Sequence, residues 1–384
     1  MDKKPKVFVG VSGGVDSSVA LALLQEEGYD VSGVFLKVWN PDWMECNWKE
    51  ERRSAMRVCA TLGVQHITLD CEEEYKKEVV DYMISEYAKG RVPNPDVFCN
   101  KFVKFGVFLK KALEMGADFI ATGHYARKFS LAHSSASGLY PLSGGSDDTS
   151  ASECAQENFF QLCESVDLNK DQSYFLYTLN QHQLSHTLFP VGHFTKPEVR
   201  KLAKKFGLST AEKKDSQGLC FIGKVDMKDF LKHFIQSKEG DVLNTKGEVI
   251  GRHDGAIFYT IGQRHGFDVI KKSSESGASF VVSKDIEKNT ITVEDRESER
   301  NTTYSTKEII LKNINFISGV EPGFPLKAQV RIRYRQEKQS CVVLKTGESY
   351  KIIFDAPQSG VAIGQSAVLY DGEICLGGGI IDVA

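Results

Sequence analysis

The hexapeptide Ser12-Gly13-Gly14-Val15-Asp16-Ser17 stands between an apolar run, Val7-Phe8-Val9-Gly10-Val11, and a helical one, Ser18-Val19-Ala20-Leu21-Ala22-Leu23-Leu24. A glycine loop that joins a strand to a helix suits phosphate for three reasons. Its glycines let backbone N–H groups approach an anion, the helix start leaves donors without intrahelical partners, and the dipole end there is positive. It is not a Walker A loop. That motif ends in Gly-Lys-Ser/Thr, whereas Val15-Asp16-Ser17-Ser18 stands here and no lysine follows the glycines.

The segments that follow repeat the strand-then-helix order. After a stop at Gly28, Val31–Val38 reads as a strand, Glu50–Leu62 as a helix ending at Gly63, and Gln65–Leu69 as a short strand. Tyr75–Lys89 is helical and ends at Gly90, Phe102–Met115 is helical and ends at Gly116, and Asp118–Thr122 is a strand. This alternation predicts an α/β fold in which a parallel sheet carries helices on both faces and binds ligands at the carboxyl ends of its strands. Residues 130–157 turn to Ser, Gly and Asp without any period and read as a mobile loop. Helical pattern returns at Gln172–Leu179, and Thr195-Lys196-Pro197-Glu198 reads as a capping box opening a helix that stops at Gly207. From Val242 the chain becomes short alternating runs with turn signals, including Thr290–Val293, Ala328–Tyr334, Ser340–Leu344, Lys351–Phe354 and Ala367–Tyr370. That part is β-rich, and barrel-like at its end. A length of 384 residues suggests two or three domains.

Composition narrows the classes. With 41% hydrophobic and 26% charged residues the chain is an ordinary globular one, not disordered throughout. No apolar run approaches the ~18 residues of a membrane span, so no membrane partner is expected. The first strand begins within six residues of Met1, which predicts no targeting segment. The nine cysteines are odd in number and never closer than Cys154 and Cys163, which argues for a reduced, cytoplasmic protein without a zinc site. The histidines, His253 and His265 among them, show no ligand spacing, and no protein-bound metal is expected. A net charge of −3 gives no overall attraction to nucleic acid, so such a partner needs local basic surface. Arg331, Arg333 and Arg335 alternate with Ile332 and Tyr334, and period two puts three guanidinium groups on one strand face. Beside Lys327 and Lys338 that face reads as phosphate contact, the alternative being a solvated arginine face.

Two segments place thiols in reactive settings. Asn94-Pro95-Asp96-Val97-Phe98-Cys99-Asn100-Lys101 joins a proline turn to a carboxylate and a thiol at the start of a helix. A helix N-terminus favours thiolate, and Asp96 there is a cap or a proton carrier. On this pattern alone the alternative is a capping aspartate with a buried, inert cysteine. Asp215-Ser216-Gln217-Gly218-Leu219-Cys220-Phe221-Ile222-Gly223 follows the cations Lys204, Lys205, Lys213 and Lys214, which also favour thiolate. The stretch Trp39–Trp48 gathers all three tryptophans with Cys46 and reads as an aromatic cluster packed under a long loop, a base-stacking platform being the other reading.

Taken together, the glycine loop, Asn94 to Lys101, Ala121-Thr122-Gly123-His124-Tyr125, Lys170-Asp171-Gln172-Ser173-Tyr174-Phe175-Leu176, Asp215 to Gly223 and Tyr259-Thr260-Ile261-Gly262-Gln263-Arg264 occur in a telling order. In order and rough spacing, over nearly the whole chain, they resemble the tRNA-specific 2-thiouridylases of the ATP pyrophosphatase (PP-loop) superfamily. The resemblance implies a PP-loop, adenine nucleotide alpha hydrolase-like domain over 1–210, a central domain over 211–300 and a C-terminal β-barrel over 301–384. It implies adenylation of O2 of the wobble uridine of tRNA and its replacement by sulfur carried as a persulfide. Position by position, Gly10, Val11, Ser12, Gly13, Gly14, Val15, Asp16 and Ser17 would hold ATP, with Leu36 and Gly123 at its nucleoside and Mg²⁺ accompanying it. Asn94, Pro95 and Asp96 would meet the target base, with Asp96 as acid or base. Cys99 would be the nucleophile and Cys220 the persulfide carrier, and a Cys99–Cys220 disulfide would close the cycle. Lys170, Asp171, Gln172, Arg333 and Tyr334 match segments that touch tRNA, and a sulfur-donating protein, a persulfide relay or cysteine desulfurase, is implied as partner. Two rival readings are an adenylating amidotransferase, which would need no paired thiols, and a non-catalytic RNA-binding protein, which would need neither Asp16 and Ser17 nor the cysteines.

Overall fold

A computed structural model describes residues 3–44, 48–131, 159–214, 226–269, 279–295 and 305–383. The first strand, β1 (Lys6–Gly10), is followed by β2 (Asp30–Lys37), β3 (Gln65–Asp70), β4 (Phe119–Ala121), the hairpin β5 (Ala126–Leu131) and β6 (Phe159–Glu164), and β7 (Thr187–Leu188). Five of these pair in parallel in the order β3-β2-β1-β4-β7. Val7, Phe8 and Val9 are all shut from solvent because a strand covered on both faces must be apolar at every position, not every second one. Phe8, Val34 and Leu36 pack on one side of the sheet and Val7, Val9 and Phe35 on the other.

Helix α1 (Val15–Glu26) returns from β1, and α2 (Trp48–Leu62) leads to β3. Helix α3 runs from Glu72 to Ala88 and α4 from Pro95 to Glu114, each with a π-helical middle, Lys76–Asp81 and Cys99–Phe108. The short α5 (Gln181–Ser185) precedes β7, and α6 (Lys196–Lys205) opens with the expected Thr195/Glu198 capping box. Strands β2 and β3 lie on one side of β1, β4 and β7 on the other. The chain therefore reverses its winding between β1 and β4, and a crevice opens at the carboxyl ends of those two strands.

The helix expected over Gln172–Leu179 is absent; a single 3-10 turn, Ser173–Phe175, stands there. Its cause is local. The Asp171 carboxylate accepts hydrogen bonds from the Ser165 and Ser173 backbone N–H groups and the Ser173 hydroxyl at 3.1, 3.3 and 2.8 Å, tying the backbone down outside a helix.

The second unit begins at α7 (Met227–Lys232) and forms a sheet of β8 (Gly240–Leu243), β9 (Val249–His253), β10 (Asp268–Val269), β11 (Ser279–Asp285) and β12 (Thr290–Asp295), ordered β10-β9-β8-β12-β11. The third contains β13 (Ser305–Phe316), β14 (Leu326–Arg331), β15 (Gln339–Thr346), β16 (Ser349–Ser359), β17 (Ser366–Asp371) and β18 (Ile374–Val383). Their order, β13-β16-β15-β14-β17-β18, closes through β13 against β18 into a six-stranded barrel filled by Val330, Val343, Ile352, Leu369 and Ile381. Strand β18 also pairs with β6, Cys375 opposite Leu162, so the β5–β6 hairpin welds the nucleotide-domain chain to the barrel sheet. The Ser/Gly-rich stretch lies, from residue 132 to 158, outside the described residues.

The tryptophans do not form one cluster. Trp39 packs half-buried on the core, and Trp48 opens α2 with Lys37 over its ring. Trp43, 45% exposed, stacks on His233 beyond α7 with centroids 3.7 Å apart. Each ring is taken by a different element, which proximity in sequence does not reveal.

Candidate active site

The loop after β1 is braced by its own hydroxyls. Ser17 Oγ accepts from the Ser12 N–H and donates to the Gly14 carbonyl, both at 3.2 Å, and Ser18 Oγ donates to the same carbonyl at 2.7 Å. Gly13 has φ of 74°, and a Cβ there would lie 2.6 Å from the Glu51 carbonyl oxygen, so this position requires glycine. Gly14 caps α1 without a side-chain hydrogen bond, which leaves the first-turn donors to a ligand. Across the crevice, Gly123 follows β4, and a Cβ on it would sit 2.5 Å from the Ser17 nitrogen. Gly10 is different: its Cβ would meet Phe108 of α4 at an ordinary 3.5 Å. Val11, Val15, Ser17 and Leu36 are buried around the loop, while Ser12 is exposed.

Two lysines that the sequence reading missed complete this site. Lys196 Nζ at the start of α6 lies 2.7 and 2.8 Å from the two Asp16 carboxylate oxygens, and the Tyr125 hydroxyl donates to Asp16 Oδ1 at 2.7 Å. Lys213 Nζ donates to the Gly13 carbonyl at 2.9 Å. They come from 180 and 200 residues away in sequence, so no local motif shows them. The signal was indirect: the capping box at Thr195 fixes where Lys196 begins a helix, and only the packing of α6 on α1 brings it to the loop.

His124, beside Gly123, is buried, and burial next to the Lys104 ammonium holds its pKa well below the usual histidine range. Lys104 Nζ donates to Nε2 at 3.4 Å, so Nδ1 carries the proton and donates to Thr122 Oγ1 at 2.8 Å.

The thiol segment buries its cysteine, as the second of its two sequence readings holds, but its cap is a different residue. Asn94, not Asp96, is the cap of α4, accepting from the Val97 N–H at 3.4 Å with Pro95 in the first turn. Asp96 is half-buried, and Cys99 is fully buried among the core residues that include Val97, Val103 and Phe105. Next to it, Asn100 Nδ2 donates to the Phe175 carbonyl at 3.1 Å, and the Phe175 ring lies 4.5 Å from that of Tyr334. Asn94 also bonds the Tyr174 hydroxyl, which donates to the Ser366 carbonyl of the barrel at 2.8 Å. The α4 start is thus tied to the barrel through the 170–176 segment. Cys220 and the whole of Asp215–Gly223 lie outside the described residues.

The arginine face is corrected. Strand β14 ends at Arg331, and the chain then turns, with Arg335 at φ of 63°, so period two does not extend to Arg333 and Arg335. Arg331 points inward, its guanidinium 2.9 Å from Glu164 Oε1 and 3.0 Å from Asp171 Oδ2. Lys338 joins from the side, 2.7 Å from Glu164 Oε2. Asp171 is itself 2% exposed, so it cannot be a surface contact, and burial pushes its carboxyl up. Exposed Arg333 donates to the Ser359 carbonyl at 3.2 Å, and half-buried Tyr334 lies under the Arg335 guanidinium. Lys170 is half-buried, and Gln172 Oε1 accepts from the Tyr125 N–H at 3.0 Å. Among the described residues no helix is long and apolar enough to cross a membrane.

Comparison with known proteins matches three family models in the same order. A tRNA methyl transferase HUP domain covers residues 5–224, a tRNA methyl transferase PRC-barrel domain 228–295 and an aminomethyltransferase beta-barrel domain 306–381. The tRNA-specific 2-thiouridylase MnmA of Pseudomonas paraeruginosa is 40% identical over 100% of this chain and 96% of its own. That of Stutzerimonas stutzeri is 41% identical over the same shares. With a nucleotide loop at the switch point of its parallel sheet, a closed barrel at its end and this identity along its full length, the chain belongs to the tRNA-specific 2-thiouridylase family.

Proposed function

We propose that this chain converts the wobble uridine of tRNA to 2-thiouridine with ATP as the activating substrate. Gly10, Val11, Ser12, Gly13, Gly14, Val15, Asp16 and Ser17 hold the nucleotide, with Leu36 and Gly123 against its nucleoside. Uridine O2 attacks the α-phosphorus, pyrophosphate leaves, and C2 becomes electrophilic. Asn94, Pro95 and Asp96 receive the base, and Asp96 moves a proton at the ring. Asp16 and Ser17 present oxygen donors at the loop, the donor set of a hard divalent cation, and Mg²⁺ bound there would neutralise polyphosphate charge. Residues 1–210 do this chemistry, 211–300 form the central domain and 301–384 bind tRNA.

Sulfur arrives as the outer atom of a persulfide on Cys220, loaded by a sulfur-donating protein, a persulfide relay or cysteine desulfurase. Along one route that outer sulfur attacks C2 and AMP leaves; the Cys99 thiolate then attacks Cys220 Sγ, breaking the persulfide bond and releasing 2-thiouridine. Along the other, Cys99 attacks Cys220 Sγ first, and the hydrosulfide set free attacks C2 and expels AMP. Either way the S–S bond ends between Cys99 and Cys220, and two electrons from a reductant restore the thiols. Lys170, Gln172, Arg333 and Tyr334 contact the tRNA, while Asp171 holds its segment from beneath through Arg331.

What supports the reading most is one convergence. Gly123 closes on the glycine loop at the sheet's switch point, and Phe108 of the Cys99 helix packs against Gly10 at the same strand end. Incubation with ATP, tRNA and a persulfide source, followed by nucleotide and nucleoside analysis, tests it: AMP, pyrophosphate and 2-thiouridine are expected. ADP in place of AMP would refute the adenylation step.

A further inference from the structure

Lys196 is poorly explained as a tether. The start of α6 is already fixed without its side chain, because the Thr195 N–H donates to Glu198 Oε2 at 2.7 Å and the Lys196 N–H to Asp167 Oδ2 at 3.0 Å. Yet its ammonium, on a side chain only 10% exposed, is directed at Asp16 in the first turn of α1. Asp16 itself is 31% exposed and shares a carboxylate oxygen with the Tyr125 hydroxyl. A triphosphate entering this loop brings several negative charges beside that carboxylate, and the loop contains no cation of its own. Among the described residues the ammonium paired to the loop's acid is that of Lys196; Lys213, at 2.9 Å from the Gly13 carbonyl, braces the other side.

We propose that Lys196 is an exchangeable phosphate ligand. It neutralises Asp16 while the loop is empty and turns its ammonium to the polyphosphate when ATP binds, supplying from α6 the cation that a Walker A loop has after its glycines. The exchange frees Asp16 for the divalent cation, and the ammonium offsets one of the negative charges that the polyphosphate brings. This rests on the nucleotide reading given above, and it goes further by naming a ligand for the polyphosphate of ATP.

The test is equilibrium binding, by calorimetry, of magnesium with a non-hydrolysable α,β-methylene ATP and, separately, of adenosine. Lys196→Met should weaken the triphosphate analogue about ten- to a hundredfold, the loss of one charge-assisted contact, and leave adenosine unchanged. Lys196→Gln keeps an N–H donor for Asp16 without charge, so it should bind as poorly as Lys196→Met; Lys196→Arg should stay within about threefold of wild type. Should Lys196→Met not fold, the Gln variant decides alone. Wild-type affinity in the Gln variant, or equal losses for the analogue and adenosine, would overturn the proposal and make the pair a structural tether. A wild-type protein that binds neither ligand would instead sink the nucleotide reading.

Discussion

Replacing Arg331 by Met should cost far more than replacing a surface arginine. The side chains of Arg331, Glu164 and Asp171 are 11, 2 and 1% exposed, so the three charges interact where water screens them little. Removing the guanidinium strands two buried carboxylates. Breaking a buried pair from one side costs about 3 to 5 kcal/mol, against about 0 to 1 for an exposed pair. Lys338 still holds Glu164 Oε2, and Ser165 and Ser173 still donate to Asp171, which places the loss at about 3 kcal/mol. Native-state hydrogen exchange at the β14–β17 ladder, where Val330 faces Leu369, reads the barrel's stability directly. Arg333→Gln should leave that exchange within about 0.5 kcal/mol of wild type. It should instead flatten the salt dependence of tRNA binding by about 0.7 to 0.9 log units, one phosphate contact. Adding Glu164→Gln and Asp171→Asn to Arg331→Met should restore part of the lost stability, since no unpaired carboxylate then stays buried and Lys338 keeps the Gly372 carbonyl as acceptor. Unchanged exchange in Arg331→Met together with a flattened salt slope would return Arg331 to the surface.

The glycine loop makes two contrasting demands. Gly123→Ala should abolish nucleotide binding, because its methyl group meets the Ser17 and Asp16 backbone, whereas Gly10→Ala, facing a Phe108 ring at 3.5 Å, should retain it; calorimetry with the ATP analogue separates them. His124 is held neutral in the fold with its pKa below the unfolded value of about 6.5, so its contribution to stability is complete above that pH and declines as pH falls beneath it. The free energy of unfolding measured from pH 7.5 to 5.5 should therefore fall less steeply in His124→Gln than in wild type, by at most about 1.4 kcal/mol per pH unit, and parallel slopes would contradict the assignment. The six described cysteines are all buried, so without tRNA none of them, Cys99 included, should react quickly with iodoacetamide; rapid labelling of Cys99 mapped by peptide mass spectrometry would contradict the packing of α4.

Much of the nucleotide domain is legible because its signals are local. The glycine stops at Gly63 and Gly116, with φ of 67 and 81°, stand where helical periodicity ends, and the capping box at Thr195 forms as its spacing implies. Where the reading fails, a distant partner has overruled a local period. Arg331 looks like one of three alternating surface cations, and only Glu164 and Asp171, brought over by the β5–β6 hairpin and the 165–173 turn, turn it inward. Gln172–Leu179 looks helical because Tyr174, Leu176, Tyr177 and Leu179 are large and apolar; all four are buried, and Asp171 keeps the backbone in turns. Lys196 and Lys213 are invisible for the same reason, as a loop without a lysine can borrow one only after the sheet order is known. Trp43 is the mirror case, a residue grouped with its sequence neighbours that in fact stacks on His233 of another unit.

In the proposed reaction two thiols, Cys99 and Cys220, divide the sulfur chemistry. Mass spectrometry of tRNA nucleosides and of the intact protein, after incubation of wild type, Cys99→Ser and Cys220→Ser with ATP, tRNA and a sulfane-sulfur donor, tests it in one experiment. Wild type should yield 2-thiouridine. Cys220→Ser should neither gain the 32 Da of an added sulfur atom at that position nor thiolate, and Cys99→Ser should gain it yet fail to thiolate, with tRNA binding kept in both. Full thiolation by either folded variant would remove that cysteine from the mechanism.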